Sequence, residues 1–359
     1  MSWPLLLQGQ MDKKLVSIDN LIIYLLMCLS VAGTCYAEPS VNIVKKYVIP
    51  DITISENVKL GGISDLIAIS DTEFYIITDR GPNGKIETPE GKLRTLLSPE
   101  FKPRIFRIKW NDRLKQFLLR DFIYIKGKNG YCNGKPNSDK VKKILNADGT
   151  KQIVPDIDGV DPEGIVRKRN GSFIITEEYG PSIIFNDSGE RYAPLSHHRD
   201  NRGFEAVALS EDEKYLWTML QSPVDEGDKV IPFIIFNLET KIVDRRLNYT
   251  LEEDTEDGKV CCMSRYNKDC VLVLEQSDTT PAKLFLFNVR NEQKTLFASL
   301  ENILPEMAHD ISNGKSDKTT GLKLEGMDFI DSNTIAIVND NDFDEKKNNY
   351  LWILKINND

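Results

Sequence analysis

At 359 residues, with 40% hydrophobic and 28% charged residues, the chain has the composition of a folded soluble protein, large enough for one big repeat architecture or two ordinary domains. A formal charge of −9 at pH 7 without any dense basic run excludes a nucleic-acid footprint, so no nucleic-acid partner is expected. Three histidines in all leave little material for histidine-driven acid–base or nucleophilic chemistry.

Residues 1–37 read as a signal peptide. Lys13 and Lys14 precede the apolar run 21–32, and Cys35-Tyr36-Ala37 sets small residues at the −3 and −1 positions of a cleavage site, with a mature start near Glu38. The run is short for a membrane span, and no stable membrane insertion is expected once the signal is cleaved. An uncleaved anchor is the alternative, and Met11 is an alternative start. The mature chain, 38–359, is therefore expected in the periplasm or outside the cell. It keeps Cys132, Cys261, Cys262 and Cys270. Export permits a disulfide, Cys270 with Cys261 or Cys262, while buried or free thiols stand as the other reading.

Residues 41–54 alternate well enough for one or two edge or closing strands. The stretch GGISDLIAISDTEFYIITDRGPN, 61–83, then reads as a hairpin: Ser64 leads a strand, Asp71-Thr72 is the turn, and a second strand runs into Asp79-Arg80-Gly81-Pro82. The pattern recurs at 161–182, DPEGIVRKRNGSFIITEEYGPS, where Glu163 leads, Asn170-Gly171 turns, and Glu178 follows the second strand. Ser64 to Asp79 and Glu163 to Glu178 are both intervals of 15. A third copy, GFEAVALSEDEKYLWTMLQSP, sets Glu205 and Gln221 16 apart; a fourth, EGMDFIDSNTIAIVNDND, sets Glu325 and Asp340 15 apart. A degenerate copy at 259–277 keeps an exit, Glu275-Gln276-Ser277, but lacks the leading Glu. At least one further strand follows each hairpin, with little helical periodicity anywhere. Repetition of this kind predicts an all-β fold, a β-propeller of five or six blades with five inner hairpins counted, spanning 38–359. The polar, Lys-rich stretch 126–158 is expected to be a surface insertion, unless it hides a sixth blade. A two-sheet sandwich is the structural alternative, and it gives no reason for the equal spacing.

An antiparallel hairpin brings the start of its first strand beside the end of its second. In a propeller those ends open together near the axis, delivering Ser64, Asp79, Glu163, Glu178, Glu205, Gln221, Glu275, Glu325 and Asp340 to one face. Asp156, Asp158 and Asp161 lead into Glu163 and extend the acidic stretch. Converging carboxylates raise one another's pKa unless a counter-charge joins them, and Ca²⁺ takes six to eight oxygens from such groups. Arg80 and Arg202 stand beside the set, and arginine is the preferred bidentate partner of phosphate or carboxylate. The bland reading is a blade-entry turn whose Glu bonds a neighbouring backbone, with the arginines as structural counter-charges. Asp340-x-Asp342-x-Asp344 is no EF-hand, because Glu345 stands where the loop needs Gly and Leu351 where it needs Glu. GxSxG, Walker A, HExxH and CxxC patterns are absent from the sequence. His197-His198 reads as an exposed loop.

At these same residues the sequence resembles the secreted phytase-like family described as having esterase-like activity of phytase. The matching blocks are GGIS (61–64), ITDRGPN (77–83), DGVDPEGIV (158–166), GSFIITEEYGPS (171–182), NRGFEAVALS (201–210), LQSP (220–223), EGMDFID (325–331) and NDND (339–342). One departure is Asp65, where the other copies have Gly164, Ala206 and Gly326. The resemblance implies a propeller-type domain, export and hydrolysis of ester bonds, phosphomonoesters among them. The expectation is an exported, Ca²⁺-dependent hydrolase of phosphate or related esters, a monomer with a small-molecule substrate. Glu163, Glu205, Glu325 and Asp340 are its metal ligands, Glu178 and Asp79 its catalytic carboxylates, Glu178 being the base, and Arg80 and Arg202 its substrate clamps. The alternatives are a lactonase-type Ca²⁺ propeller using the same residues and a non-catalytic binding propeller stiffened by its metal. Serine-esterase chemistry through Ser64 lacks a histidine partner.

Overall fold

Runs rich in Ile, Val, Phe and Tyr, cut by Asp, Asn and Gly turns, give short antiparallel strands almost throughout. A computed structural model of the chain describes residues 39–89, 91–252, 257–316 and 318–357; the signal expected over 1–37 lies outside the described residues. The order begins with β1 (Ser40–Ile49), the small hairpin β2 (Thr53–Ser55) and β3 (Val58–Lys59), then β4 (Ile63–Ser70) and β5 (Glu73–Thr78). A hairpin, β6 (Asn83–Thr88) and β7 (Gly91–Leu96), leaves this sheet before β8 (Arg104–Asn111) and β9 (Gln116–Tyr124) complete it beside β5. The strand β10 (Ile144–Asn146), from the 126–158 stretch, returns to pair in parallel with β7, and with β6 the two form a three-stranded side sheet.

The second sheet is β11 (Pro162–Arg167), β12 (Phe173–Glu177), β13 (Ser182–Phe185) and β14 (Glu190–Tyr192). The third is β15 (Phe204–Leu209), β16 (Tyr215–Leu220), β17 (Val230–Asn237) and β18 (Ile242–Thr250). The fourth is β19 (Lys259–Arg265), β20 (Cys270–Gln276), β21 (Lys283–Asn288) and β22 (Lys294–Ser299). A short helix, α1 (Leu304–Ile311), precedes the fifth sheet of β23 (Leu324–Asp331), β24 (Thr334–Asn339) and β25 (Asn349–Asn357). The outermost strand of that sheet is β1, antiparallel to β25 from Ser40 opposite Asn357 to Ile49 opposite Asn349. The start of the described chain is thus bonded to its end.

Five four-stranded antiparallel sheets are present among the described residues. Their first strands neighbour one another in a closed circuit, β4 beside β11, β11 beside β15, β15 beside β19, β19 beside β23, and β23 beside β4. A cavity of about 290 Å³ is lined by all five. This circuit excludes the two-sheet sandwich, and the all-β expectation holds. The core is accordingly not one centre but a series of apolar layers between neighbouring sheets. Ile77, Ile105, Ile165 and Ile175 fill the layer between the first and second sheets, and Leu272, Leu284, Ile335 and Trp352 that between the fourth and fifth. Each fully buried side chain of this size contributes about 1.5–3 kcal/mol against exposure. α1 packs Leu304, Met307 and Ile311 on the latter layer, and its Asp310 accepts the Trp352 indole N–H at 3.0 Å. Cys132, Cys261, Cys262 and Cys270 are free thiols, the first three buried. Among the described residues no helix is long and apolar enough to cross a membrane.

Candidate active site

Near the start of each first strand the pairing with the second strand slips at one residue: Ser64 in β4, Glu163 in β11, Glu205 in β15, Cys261 in β19 and Glu325 in β23; β4 and β23 slip again near their far ends. A β-bulge leaves its extra residue out of the ladder and re-aims that side chain. Opposite the bulges, the backbone N–H groups of Asp79, Glu178, Gln221 and Asp340 donate to the carbonyls of Gly62, Asp161, Gly203 and Lys323 at 2.8–2.9 Å. In the fourth sheet Gln276 pairs with Lys259. The 15-residue interval is therefore one bulge joined to one exit residue by a hairpin, which is one residue longer in the third sheet. This register corrects the degenerate copy at 259–277: its exit residue is Gln276, not Glu275. Glu275 instead accepts the Tyr249 hydroxyl at 2.5 Å and pairs with Lys294, away from the acids.

The remaining acids converge. Asp161, Glu163 and Glu178 each offer one carboxylate oxygen within 4.8 Å of the others. Arg80 is buried beside them. Its Nη1 pairs with Asp161, lies 3.4 Å from Glu178 Oε2 and donates to Asn201 Oδ1 at 3.2 Å, and its guanidinium stands 5.7 Å over the Tyr179 ring. Glu205 accepts Gln221 Nε2 at 2.6 Å, and Gln221 Oε1 in turn accepts from Arg202 Nη1, so Arg202 reaches the cluster through an amide. Glu325 lies 3.3 Å from Lys259 Nζ, and Asp340 3.2 Å from Lys323 Nζ, which also pairs with Asp342.

Burial, with Glu205 and Glu178 nearby, pushes the Glu163 carboxyl well above the usual range. Burial and then Glu325 do the same to Glu205. Burial and the neighbouring Asp340 push Asp79 up to about 7. Asp340 is also raised by burial, against the pull of Lys323, whereas Lys323 overcomes burial to hold Asp342 below its usual value. The two lysines are themselves raised, because Glu325 and Asp340 outweigh the burial of their ammonium groups. The chain thus supplies part of the counter-charge that the converging acids require. Lys259 and Lys323 stand two residues before the bulge, where the second sheet has Asp161 and the first and third have Gly62 and Gly203. The ring is polarised: its fourth- and fifth-sheet side is neutralised by lysine, and its second-sheet side is carboxylate-rich.

A hard cation fits the second-sheet side by donor chemistry. All three converging donors are carboxylate oxygens, and Glu205 Oε2, whose carboxylate adjoins Glu163 and Glu178, is buried without a hydrogen-bond partner. Other acids singled out from the sequence stay outside. Asp158 caps the 126–130 loop through Asn129 N–H at 2.9 Å, and Asp156 accepts Asn133 Nδ2 at 2.9 Å. Glu177, adjacent to Glu178, points the opposite way and ties its loop through Ser182 Oγ at 2.7 Å and the Tyr179 N–H at 2.9 Å. Asp65 is buried and accepts the Ile165 N–H at 2.9 Å, bridging the first and second sheets. His198 Nε2 lies 3.2 Å from the Tyr179 carbonyl, and His309 is exposed on α1. Sequence reasoning missed Asn201, Lys259, Lys323 and Arg94. The lysines carried a signal, their shared position two before the bulge. Arg94 carried none, since it lies on the side sheet outside the repeat.

Comparison with solved structures finds distant likenesses. The PQQ-bound aldose sugar dehydrogenase of Streptomyces coelicolor is 9% identical with a TM-score of 0.42, over 89% of this chain and 99% of that one. A Dyadobacter fermentans protein of unknown function is 11% identical with a TM-score of 0.42, over 88% and 99%. Sqt1 of Saccharomyces cerevisiae is 10% identical with a TM-score of 0.38, over 85% and 74%. No curated protein matches. Residues 58–343, which contain every bulge and exit residue of the ring, match the phytase-like family described by esterase-like activity of phytase, and the chain belongs to that family.

Proposed function

We propose that the five sheets are the blades of a five-bladed propeller closed by β1, and that the exported chain is a Ca²⁺-dependent hydrolase of phosphate or related esters. The observation that carries the reading is the meeting of Asp161, Glu163 and Glu178 within 4.8 Å, with Arg80 against them. The family description adds ester hydrolysis as the class of reaction. Asp161, Glu163 and Glu178 would hold the cation, with Glu205 beside them. Glu325 and Asp340, each already facing a lysine, would form the outer rim. A bound divalent cation supplies Lewis-acid charge at the ester oxygen and makes water a better nucleophile.

The chain's own groups do the rest. Arg80 presents a planar fork to a phosphate oxygen, held in place by Asp161 and by the Tyr179 ring. Asp79, with its pKa near 7, can give up or take a proton at neutral pH, which suits a general acid–base. Glu178 serves as a second base only when it is not a ligand. Arg202 orients the substrate from the rim through Gln221. Assay of the purified mature protein on p-nitrophenyl phosphate, a lactone and a carboxylic ester, with and without chelator, tests the reading. Phosphate-ester turnover that chelator abolishes and Ca²⁺ restores is expected. Turnover unchanged by chelator would overturn it, and turnover of the lactone alone would move the activity to that class.

A further inference from the structure

The side sheet belongs to no blade, yet it stands against the acids. Tyr179, from the turn that carries Glu178, packs on Leu96, Ile144 and Ile153. Beside it is a cavity of about 200 Å³ lined by Lys85, Lys92, Arg94, Lys142, Lys143 and Asp200. Among the described residues this lining carries five cations and one carboxylate, with Lys92 also paired to Glu87 at 3.8 Å, in a chain whose net charge is −9. Arg94 connects this cavity to the acid cluster. Its Nη1 and the Nη1 of Arg80 both donate to the single side-chain oxygen of Asn201. The Nε atoms of both guanidiniums are buried without a hydrogen-bond partner. Arg80 is compensated by Asp161 and Glu178, but the half-buried Arg94 keeps an unused Nε–H donor beside the cavity. Burial and the neighbouring Arg80 bring the Arg94 pKa down to about 10.

We propose that Arg94 and the lysine-lined cavity of the side sheet form an oxyanion site that takes a phosphate group distinct from the one Arg80 faces at the axial acids. The guanidinium fork of Arg94 matches a tetrahedral oxyanion in geometry and charge. The consequence for the substrate, a small molecule with at least two anionic groups, rests on the hydrolase reading; the anion site itself does not.

The test is calorimetric titration of the mature protein with inorganic phosphate in the presence of chelator, which isolates this site from any metal-borne one. Wild-type binding that weakens with added salt is expected, with affinity lowered about tenfold by Arg94→Gln. The rim variant Lys85→Ser/Lys142→Ser, both exposed, is expected to lower it about threefold and decides the matter if Arg94→Gln fails to fold. Absence of phosphate binding to the wild type at millimolar concentration, or equal binding by the folded variants, would overturn the proposal. Binding that requires Ca²⁺ and ignores Arg94→Gln sinks this site and leaves the hydrolase reading standing. Chelator-resistant binding lost in the variants, in a protein that turns over no ester, does the reverse.

Discussion

Replacing Lys259 by Met removes the cation 3.3 Å from Glu325 while keeping most of the side chain's volume. Lys259 is about one-fifth exposed and Glu325 under one-tenth, so the pair is screened only in part. Glu325 Oε2 already lacks a partner, and Glu205 adds a second acid beside it. Breaking a buried pair by deleting one member costs about 3–5 kcal/mol; the partial exposure of Lys259 and the presence of Lys323 nearby bring the expectation to about 2–3 kcal/mol. Urea unfolding in chelator at pH 8 and pH 5 measures it. The loss should be smaller at pH 5 than at pH 8, because burial and Glu325 raise the Glu205 carboxyl, which holds its proton more at the lower pH and repels Glu325 less. Adding Glu325→Gln should restore stability relative to the single variant, with a coupling of about 1 kcal/mol or more in the double-mutant cycle. A Lys259→Met protein as stable as the wild type at pH 8, or an additive cycle, would refute the view that the lysine is a built-in counter-charge.

Three further outcomes follow from the same geometry. Asp79, Glu163 and Glu205 have folded pKa values above their unfolded ones, so the folded state holds protons that the unfolded chain releases. Their contribution is fully present below the unfolded values and is lost as pH rises through the folded ones. Calcium-free protein should therefore melt lower at pH 8 than at pH 5. The shift of Asp79 from 3.8 to about 7 corresponds to roughly 4 kcal/mol, shared with Asp340 because protonating either relieves both; a melting temperature that climbs over this range contradicts the account. Gly203→Ala would set a Cβ 2.5 Å from Glu178 Cα and closer still to its carbonyl oxygen, costing about 1–3 kcal/mol and displacing Glu178. Turnover should fall with stability, and a destabilised variant with unchanged turnover would separate Glu178 from the chemistry. Arg80→Lys keeps the charge but loses the fork, so KM for a phosphate ester should rise about tenfold, and wild-type KM would remove Arg80 from the clamp.

The ring was legible because a bulge and a hairpin of nearly constant length impose an interval of 15 or 16 between polar residues. That interval placed Asp79, Glu163, Glu178, Glu205, Glu325 and Asp340 together before any coordinates. It failed in the fourth sheet, where Cys261 fills the bulge and no acid anchors the count; a slip of one residue then put Glu275 in place of Gln276, on the opposite face of the strand. The same alternation separates Glu177 from Glu178, neighbours in sequence with a loop tie on one side and the acid cluster on the other. The position two before the bulge reads Gly, Asp, Gly, Lys, Lys around the circuit, so its role changes from sheet to sheet and the only signal is the lysine shared by the last two. The side sheet was beyond reach for another reason. Ile144 meets Arg94 by a parallel pairing across some fifty intervening residues, and pairing at that range leaves no periodic trace.

The most direct test of the central claim is Ca²⁺ binding by equilibrium dialysis on the mature wild-type protein and Glu163→Gln, with phosphate-ester turnover followed on the same samples. Bound Ca²⁺ in the wild type is expected, with loss of both binding and turnover in the variant and retention of its fold, since Glu163 is a half-buried acid among acids and its amide relieves repulsion. A wild type that binds no Ca²⁺, or a folded Glu163→Gln that binds and turns over as the wild type does, would contradict it.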